Sequence, residues 1–482
     1  NDGSQNANDQ LPPQRLRNTA GMGSPAGKRD AKGPPSTPER PLLQVASSSR
    51  ACLCCKHASD LRDEAQIVAH LETCRETLLL FPGGRAGHVP YLEKELGANA
   101  AISGFARMLV LVLAHLALDA PAVHIQAICT SLRQTVDAAG PADKGWSQSL
   151  KAAKSILDRP ELRAAIPGAL SPERFAAALV TVRQCSCVAQ NDQVWCLYPS
   201  MRDWAHSCAP NSSYCIGPDL ALHLLHLRDL APGEPILIDL CAGFYEPTSE
   251  RQALVESCLF EACSCQQCAS SKPDLCRAFL CPMEARHWSN TFNPLAEFKH
   301  IVCPRGTGNQ DSDWICLTCN YKLSRGDIAR CLLVEHQLED DLPTTEEGVD
   351  AVLRNGVIRR EHYLVFNQML LISKPLAEQI PEDLSSAQAI ALIEHAVSLW
   401  RGFVECCDFV ASGIPRCEVV WLLETLGTFY SLRHCTSRLA VETLARALHM
   451  SRLCLGPEAI CTDTAKIYHK LQQVRGGTKE AQ

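Results

Sequence analysis

The sequence contains no apolar run long enough to span a membrane and no long block of basic residues. Residues 108–118, MLVLVLAHLAL, have about half the length that a spanning helix needs, so they predict a buried core helix. The formal net charge is -7, and it is dispersed along the chain. We therefore expect no membrane association and no direct contact with nucleic acid.

The first ten residues, NDGSQNANDQ, are polar and lack the apolar core of a secretion signal. Cysteine, by contrast, is abundant, with 27 residues. Disulfide scaffolds are usually short secreted chains, whereas several cysteines here lie two or three positions apart, as zinc ligands do. We therefore expect a reducing compartment, cytoplasmic and/or nuclear, and bound zinc, with many remaining cysteines acting as small buried hydrophobic residues.

The chain divides into six segments that differ in composition and predicted secondary structure. They are a Pro/Gly/Ser/Asn-rich segment at 1–50, a small Cys/His cluster at 51–75, a helical segment at 76–183, short β-prone runs at 184–250, a Cys-rich segment at 251–325 and a second helical segment at 326–482. The first segment has the composition of a flexible tail. Together the segments predict an α+β fold: a β-rich core with a helical insert and zinc-binding loops, followed by an α-helical C-terminal domain.

The C-terminal segment carries a repeat-like pattern. Leu423, Leu426, Gly427 and Tyr430 match the first-helix pattern of a tetratricopeptide repeat, and a second amphipathic helix follows before Gly456-Pro457 ends it. A plain helical bundle is the alternative interpretation. In either case we expect protein partners to bind this TPR-like domain.

Three closely spaced cysteines are the first sign of a specific site. Cys263, Cys265 and Cys268 follow the pattern C-x-C-x2-C. Three thiolates this close can hold one face of a tetrahedral zinc ion, but the fourth ligand must come from elsewhere in the chain.

The run AHSCAPN at 205–211, followed by this cysteine trio, resembles the SET-domain proteins of the SET-and-MYND (SMYD) family. LYPS at 197–200, the RDL…GE run within 228–234 and SER at 249–251 also match that family's pattern. The resemblance implies that Cys208 supplies the fourth zinc ligand. It further implies a SET core and protein-lysine methylation with S-adenosyl-L-methionine as cofactor. The partner would be a lysine-containing protein substrate, with histones among the candidates.

The resemblance also assigns candidate residues to the cofactor site. Gly21 and Gly23 stand for the family's G-x-G, and His206 matches the family residue in the AHSC run. Ala205 occupies the place of the family's Asn, so one polar contact to the cofactor is lost. Phe260 falls near an aromatic residue that stacks on the adenine ring in the family.

The catalytic position departs from the family. The family's Tyr corresponds to Cys241, and Tyr245, four residues later, could substitute for it only after a loop rearrangement. The family's SET fold also has an N-terminal lobe with a central strand. The run PPSTP at 34–38 makes such a strand unfavourable here, because proline cannot donate ladder hydrogen bonds. These departures leave a second hypothesis of a different class: a catalytically inactive SET/zinc scaffold that binds protein partners.

An earlier Cys/His cluster resembles part of a MYND zinc finger. Cys52, Cys55, His70 and Cys74 match the first and last ligand pairs of that finger, and the middle pairs are absent. The four residues could bind one zinc as a MYND-like remnant. The alternative is a helix with incidental cysteines.

A later cluster suggests a further zinc knuckle. Cys276 and Cys281 form one pair and Cys316 and Cys319 form another. Because the gap between the two pairs is long, Cys303, His287 and His300 are alternative ligands for this site. Buried cysteines in an irregular insert are the competing interpretation.

Overall fold

The computed structural model describes residues 38–46, 108–158, 163, 170–189, 194–240, 243–259, 263–283, 300–305, 313–379, 384–433 and 437–480, except positions 110, 114, 117–122, 144 and 270. The described chain has mixed helical and strand structure, which agrees with an α+β class. It forms two compact units, with residues 41–202 in the first and residues 38–40 and 203–482 in the second. The boundary after Arg202 divides the segment 184–250, which the sequence predicted as one β-rich region.

Besides the helical residues within 108–116, the described part of the first unit contains three long helices and a small sheet. The elements are β1 (Leu43–Ala46), α1 (Val123–Asp137), α2 (Trp146–Leu157), α3 (Pro172–Cys185), β2 (Ser186–Ala189) and β3 (Val194–Leu197). The three strands pair antiparallel in the order β1-β3-β2. Ser171 caps the start of helix α3: its Oγ accepts the Arg174 N–H at 3.2 Å, and a proline lies in the first turn.

The apolar run at 108–118 lies inside the first unit. Its described residues are helical, and Met108, Leu109 and Leu113 are buried in the main hydrophobic core of that unit. The prediction of a buried core helix is confirmed for the positions that the structure describes. Throughout the described ranges, no helix combines the length and the apolarity needed to cross a membrane.

The second unit begins with short strands and ends with a helical region. Its strands are β4 (Ala205–His206), β5 (Ser212–Ile216), β6 (Leu222–His226), β7 (Leu237–Ile238), β8 (Phe279–Leu280), β9 (Ile301–Pro304) and β10 (Trp314–Cys316). Its helices are α4 (Thr248–Leu259), α5 (Arg325–Asp340), α6 (Glu346–Arg354), α7 (Tyr363–Ser373), α8 (Ala387–Ala411), α9 (Cys417–Ser431), α10 (Ser437–Cys454) and α11 (Thr462–Glu480). Strands β5 and β6 form an antiparallel hairpin, and β8, β9 and β10 form a three-stranded antiparallel sheet.

Segment 205–211 lies parallel to the chain that follows the β5–β6 hairpin. Strand β4 pairs with β7, and the side chain of Asn211 reinforces this pairing. Its amide group donates to Glu234 Oε1 at 3.0 Å and to the Pro235 carbonyl at 2.9 Å, and its Oδ1 accepts the Leu237 N–H at 2.9 Å. Because Asn211 is buried, these satisfied bonds fix the start of β7 beside the turn that carries Cys208.

Helices α9 and α10 pack closely where the repeat-like pattern places a glycine. A Cβ atom at Gly427 would lie 2.7 Å from Leu444 Cγ, so only glycine allows this approach. Helix α10 ends before Gly456, which has a φ of 97° and whose N–H donates to the Ser451 carbonyl at 3.1 Å. The helices of the C-terminal segment are therefore confirmed, whereas a tetratricopeptide-like array stays a prediction.

Candidate metal centres

Four cysteines from two distant parts of the chain converge in the second unit. Cys208 lies in the turn after β4, and Cys263, Cys265 and Cys268 lie in the loop after α4. Their sulfur atoms all lie within 4.8 Å of one another. Cys208 Sγ is 3.9 Å from Cys263 Sγ and 3.6 Å from Cys268 Sγ, and all four are free thiols. The structure thus brings together the group that we name the four-thiol group.

The spacing of these sulfurs fits a tetrahedral zinc ion. Zinc–sulfur bonds of about 2.3 Å in a tetrahedron place neighbouring sulfurs about 3.8 Å apart. The two distances from Cys208, 3.9 and 3.6 Å, lie on either side of that value. A disulfide would need sulfurs about 2.05 Å apart. The donor set and its geometry are therefore compatible with zinc, with no position left open for a substrate or water.

Contacts within the group shift the pKa values of its thiols in opposite directions. A hydrogen bond with Cys263 raises the pKa of Cys208, and the same contact lowers the pKa of Cys263. A hydrogen bond from Cys208 also lowers the pKa of Cys265, to about 5. A divalent cation would replace the thiol protons, since cysteine binds metals as the thiolate.

Two side chains outside the group hold Cys208 in place. The Leu240 N–H donates to His206 Nδ1 at 3.3 Å, so His206 Nε2, 3.4 Å from Cys208 Sγ, is the nitrogen that donates to the sulfur. Arg416, which immediately precedes α9, donates to the Cys208 carbonyl and to Asp239 Oδ2, the latter at 2.8 Å. Sequence reasoning missed Arg416, because a single arginine far along the chain carries no motif.

A second group of potential ligands lies at the ends of the β8–β9–β10 sheet. Cys281 follows β8, His300 precedes β9, Cys316 ends β10 and Cys319 lies in the next turn, with their ligand atoms within 4.8 Å of one another. Cys281 Sγ is 3.7 Å from Cys319 Sγ, and Cys316 Sγ is 3.9 Å from His300 Nδ1. We name these residues the Cys3His group.

The Cys3His group differs in one member from the predicted second site. Cys276, which the sequence paired with Cys281, lies elsewhere: its sulfur is 3.8 Å from Arg251 Nη1 and 3.9 Å from the Phe244 carbonyl. Cys276 comes before β8 and Cys281 after it, so the two cysteines lie at opposite ends of that strand. His300, one of the alternative ligands, occupies the fourth place.

Tyr245 lies in the aromatic core of the helical region. Its hydroxyl donates to the Glu361 carbonyl at 3.0 Å, and its ring stacks on Phe366 with 3.7 Å between the centroids. Burial raises the pKa of this hydroxyl well above its ordinary value. This packed position argues against the catalytic role suggested for Tyr245.

The other predicted site residues fall into two sets. Ala205 and His206 form β4, beside Cys208. Eight positions lie outside the described residues: Gly21, Gly23, Cys52, Cys55, His70, Cys74, Cys241 and Phe260. The predicted N-terminal glycine motif, the MYND-like cluster and the position of the family's catalytic tyrosine are among them.

Comparison with known proteins adds no assignment. No protein-family model matches this chain, and no curated protein matches it significantly.

Proposed function

We propose that this chain is a SET-type protein-lysine methyltransferase that uses S-adenosyl-L-methionine and is held together by a structural zinc ion. The observation that carries the proposal is that the sulfur atom of Cys208 lies within 4.8 Å of the sulfur atoms of Cys263, Cys265 and Cys268. In the SMYD pattern, these cysteines connect the cofactor-binding run to the segment after the SET core. The parallel pairing of β4 with β7 supports the same arrangement.

The proposed reaction is a direct displacement. The neutral Nζ of a substrate lysine would attack the methyl carbon of the sulfonium, the carbon–sulfur bond would break with its electron pair going to sulfur, and the amine nitrogen would release a proton to solvent. A protein accelerates such a step by aligning the two reactants and excluding water. S-adenosylmethionine, when bound, supplies the activated methyl group.

The residues of β4 would hold one side of the cofactor. Ala205 and His206 are partly exposed, whereas the following Ser207 and Cys208 are buried. The Ala205 N–H donates to the Ile236 carbonyl at 3.0 Å, and His206 is held by the Leu240 N–H at 3.3 Å. Backbone bonds and the zinc site therefore fix this strand before any ligand binds, which reduces the ordering cost of binding.

Zinc in the four-thiol group would have a structural role. Four cysteine ligands complete the tetrahedron, so no open position remains for Lewis-acid chemistry on a substrate. The ion would instead join the turn after β4 to the loop after α4. Its loss would disorder the strand that carries the proposed cofactor contacts.

An inactive scaffold that binds protein partners is the second candidate. Two observations favour it: Ala205 lacks the amide of the family's Asn, and the hydroxyl of Tyr245 is bonded to the Glu361 carbonyl. In this version, zinc and the helical C-terminal segment would present a binding surface without methyl transfer.

Calorimetric titration of the purified full chain with S-adenosylmethionine distinguishes the two candidates. The methyltransferase proposal expects saturable binding at micromolar concentrations. Ala205→Asn should tighten binding about tenfold, the effect of one added hydrogen bond of about 1.4 kcal/mol. Ala209→Asn, in the same segment, is the matched control and should leave the affinity unchanged.

Activity provides the second arm of the test. The double variant Ala205→Asn, Cys241→Tyr should increase methyl transfer from labelled cofactor to a lysine-containing protein mixture, because it restores both family residues. Absence of cofactor binding at millimolar concentration, in the parent chain and in the double variant, would overturn the methyltransferase proposal and favour the scaffold.

A further inference from the structure

The three-stranded sheet that carries the Cys3His group is very small for a stable structure. Strand β8 has two residues, β9 has four and β10 has three. Two long connections separate the ligands, since His300 lies 19 positions after Cys281 and 16 before Cys316. Closing such connections costs conformational entropy that so few ladder hydrogen bonds offset poorly, so a cross-link is expected.

The ligand atoms nevertheless occupy one well-defined spot at the edge of this sheet. The Cys281 N–H donates to the His300 carbonyl at 3.1 Å, which aligns the first two ligands across adjacent strands. The turn after β10 aligns the other two: the Asn320 N–H donates to the Cys316 carbonyl at 3.0 Å, and Asn320 has a φ of 57°. This turn brings Cys316 and Cys319 together, with their sulfur atoms within 4.8 Å of each other.

The distances discriminate between a metal and a disulfide. A tetrahedral zinc ion places two sulfur ligands about 3.8 Å apart, and a sulfur and a nitrogen ligand about 3.5 Å apart. The observed distances are 3.7 Å between Cys281 and Cys319 and 3.9 Å between Cys316 Sγ and His300 Nδ1. A disulfide would use two of these residues and leave the third thiol and the imidazole without a reason to converge.

We propose that Cys281, His300, Cys316 and Cys319 bind a second structural zinc ion, which fixes the β8–β9–β10 sheet and thereby anchors the first helices of the C-terminal region. This inference is independent of methyl transfer, because none of the four residues belongs to the proposed cofactor site.

The sheet is joined to the helical region by backbone hydrogen bonds. On the side of β8 away from β9, the Leu280 N–H donates to the Val357 carbonyl at 2.8 Å and the Arg359 N–H donates to the Ala278 carbonyl at 3.1 Å. On the other side of the sheet, the Leu323 N–H donates to the Trp314 carbonyl at 2.9 Å, directly before α5. Loss of order in the sheet should therefore affect both the residues just before α5 and the residues just after α6, because both are hydrogen-bonded to it.

Buried side chains strengthen this attachment. Arg277 Nε donates to Glu335 Oε1 of α5 at 2.7 Å, and the guanidinium lies 5.4 Å from the ring centroid of the fully buried Trp314. His362 Nε2 contacts the same carboxylate at 3.2 Å. Cys281, Cys316 and Trp314 thus share one buried hydrophobic cluster with Ile328, Cys331 and Leu338 of α5, whereas Cys319 is exposed.

Zinc content of the purified full chain tests the proposal. Cys319→Ser is the preferred variant, because Cys319 is exposed and its replacement disturbs no packing. We expect this variant to hold one zinc ion fewer per chain than the parent protein. Cys331→Ala, a buried cysteine of the same hydrophobic cluster that is not a ligand, is the control and should keep the full zinc content.

A second variant, His300→Cys, keeps the proposal falsifiable if Cys319→Ser folds poorly, and hydrogen exchange adds a readout if it folds well. His300→Cys should retain the metal and, after loading with Co²⁺, increase the thiolate charge-transfer absorption. Amide hydrogen exchange should be faster in β10 and the first turn of α5 in Cys319→Ser. An unchanged zinc content in Cys319→Ser, or an unchanged cobalt spectrum in His300→Cys, would overturn the proposal.

Discussion

The two cysteine groups of the second unit have similar sulfur spacings but are built in different ways. The four-thiol group gathers Cys208 from the turn after β4 and three closely spaced cysteines from one loop, and three of its members are buried. The Cys3His group takes its ligands from the ends of three adjacent strands and exposes Cys319. The first joins remote segments, whereas the second closes a local sheet.

The difference explains which surrounding residues each group depends on. Arg416 connects the backbone of Cys208 to the start of α9, and Asp239 completes that contact. Arg277 and Glu335 connect the sheet of the Cys3His group to α5. If the two groups are separate structural units, changes at one should leave the metal content of the other unaltered.

Loss of a ligand from the four-thiol group should have the largest effect. Cys208→Ser should remove one zinc ion and lower the free energy of unfolding by about 5 kcal/mol or more, since structural zinc contributes about 10 kcal/mol in small zinc domains. Elemental analysis and denaturant unfolding measure both quantities. The control Cys407→Ala, a buried cysteine of α8, should keep its zinc; full zinc content in Cys208→Ser would contradict the comparison.

The anchor of the four-thiol group should rank next. Arg416→Leu leaves Asp239 and the Cys208 carbonyl without their partner, so we expect a loss of about 4 kcal/mol in urea unfolding. Arg446→Leu breaks an exposed pair with Asp408 and should cost less than about 1 kcal/mol. Equal effects of the two substitutions would show that Arg416 does not anchor the site.

The anchor of the Cys3His group should respond to pH. Although burial raises the pKa of Glu335, hydrogen bonds from His362 and Arg277 lower it to about 2. Because the unfolded-state pKa is about 4.3, the ionised carboxylate stabilises the fold above that pH by about 3 kcal/mol, and this stabilisation is lost as the pH falls towards 2.

Unfolding of Glu335→Gln beside the parent chain measures this dependence. The difference in the free energy of unfolding should be about 3 kcal/mol at pH 7 and should shrink below pH 4.3. A difference that is constant between pH 7 and pH 3 would rule out the ionised Glu335 as its source. The zinc of the four-thiol group should be retained at pH 7.

The smallest effect should come from the helix that follows Arg416. Gly427→Ala forces a Cβ against Leu444, so the contact between α9 and α10 must loosen, at a cost of about 1–3 kcal/mol. Gly476→Ala, in α11 with no atom within 4 Å of its Cβ position, should instead stabilise by about 0.5–1 kcal/mol. Thermal unfolding of the two variants shows whether close packing or helix propensity determines the effect of a glycine-to-alanine change at each position.

Sequence reasoning succeeded where a local pattern carries the information. The apolar run at 108–118 predicted a buried core helix, and the C-x-C-x2-C spacing predicted three members of the four-thiol group. Cys208 was accessible only through the resemblance of its motif, because its partners lie 55 or more positions away.

The remaining features depend on tertiary structure that no local pattern encodes. His300 joins the Cys3His group because β8 and β9 pair, and Arg416 reaches Cys208 across 208 positions of sequence. The role of Tyr245 was equally hidden, since its hydroxyl partner is a backbone carbonyl 116 positions away. Such contacts follow from chain topology rather than from residue spacing.

The central claim is that Cys208, Cys263, Cys265 and Cys268 surround one zinc ion. Anomalous diffraction at the zinc absorption edge from crystals of the full chain tests it most directly. The account predicts an anomalous peak about 2.3 Å from each of these four sulfur atoms. A structure without a peak there, or with Cys208 Sγ remote from the other three sulfurs, would contradict it.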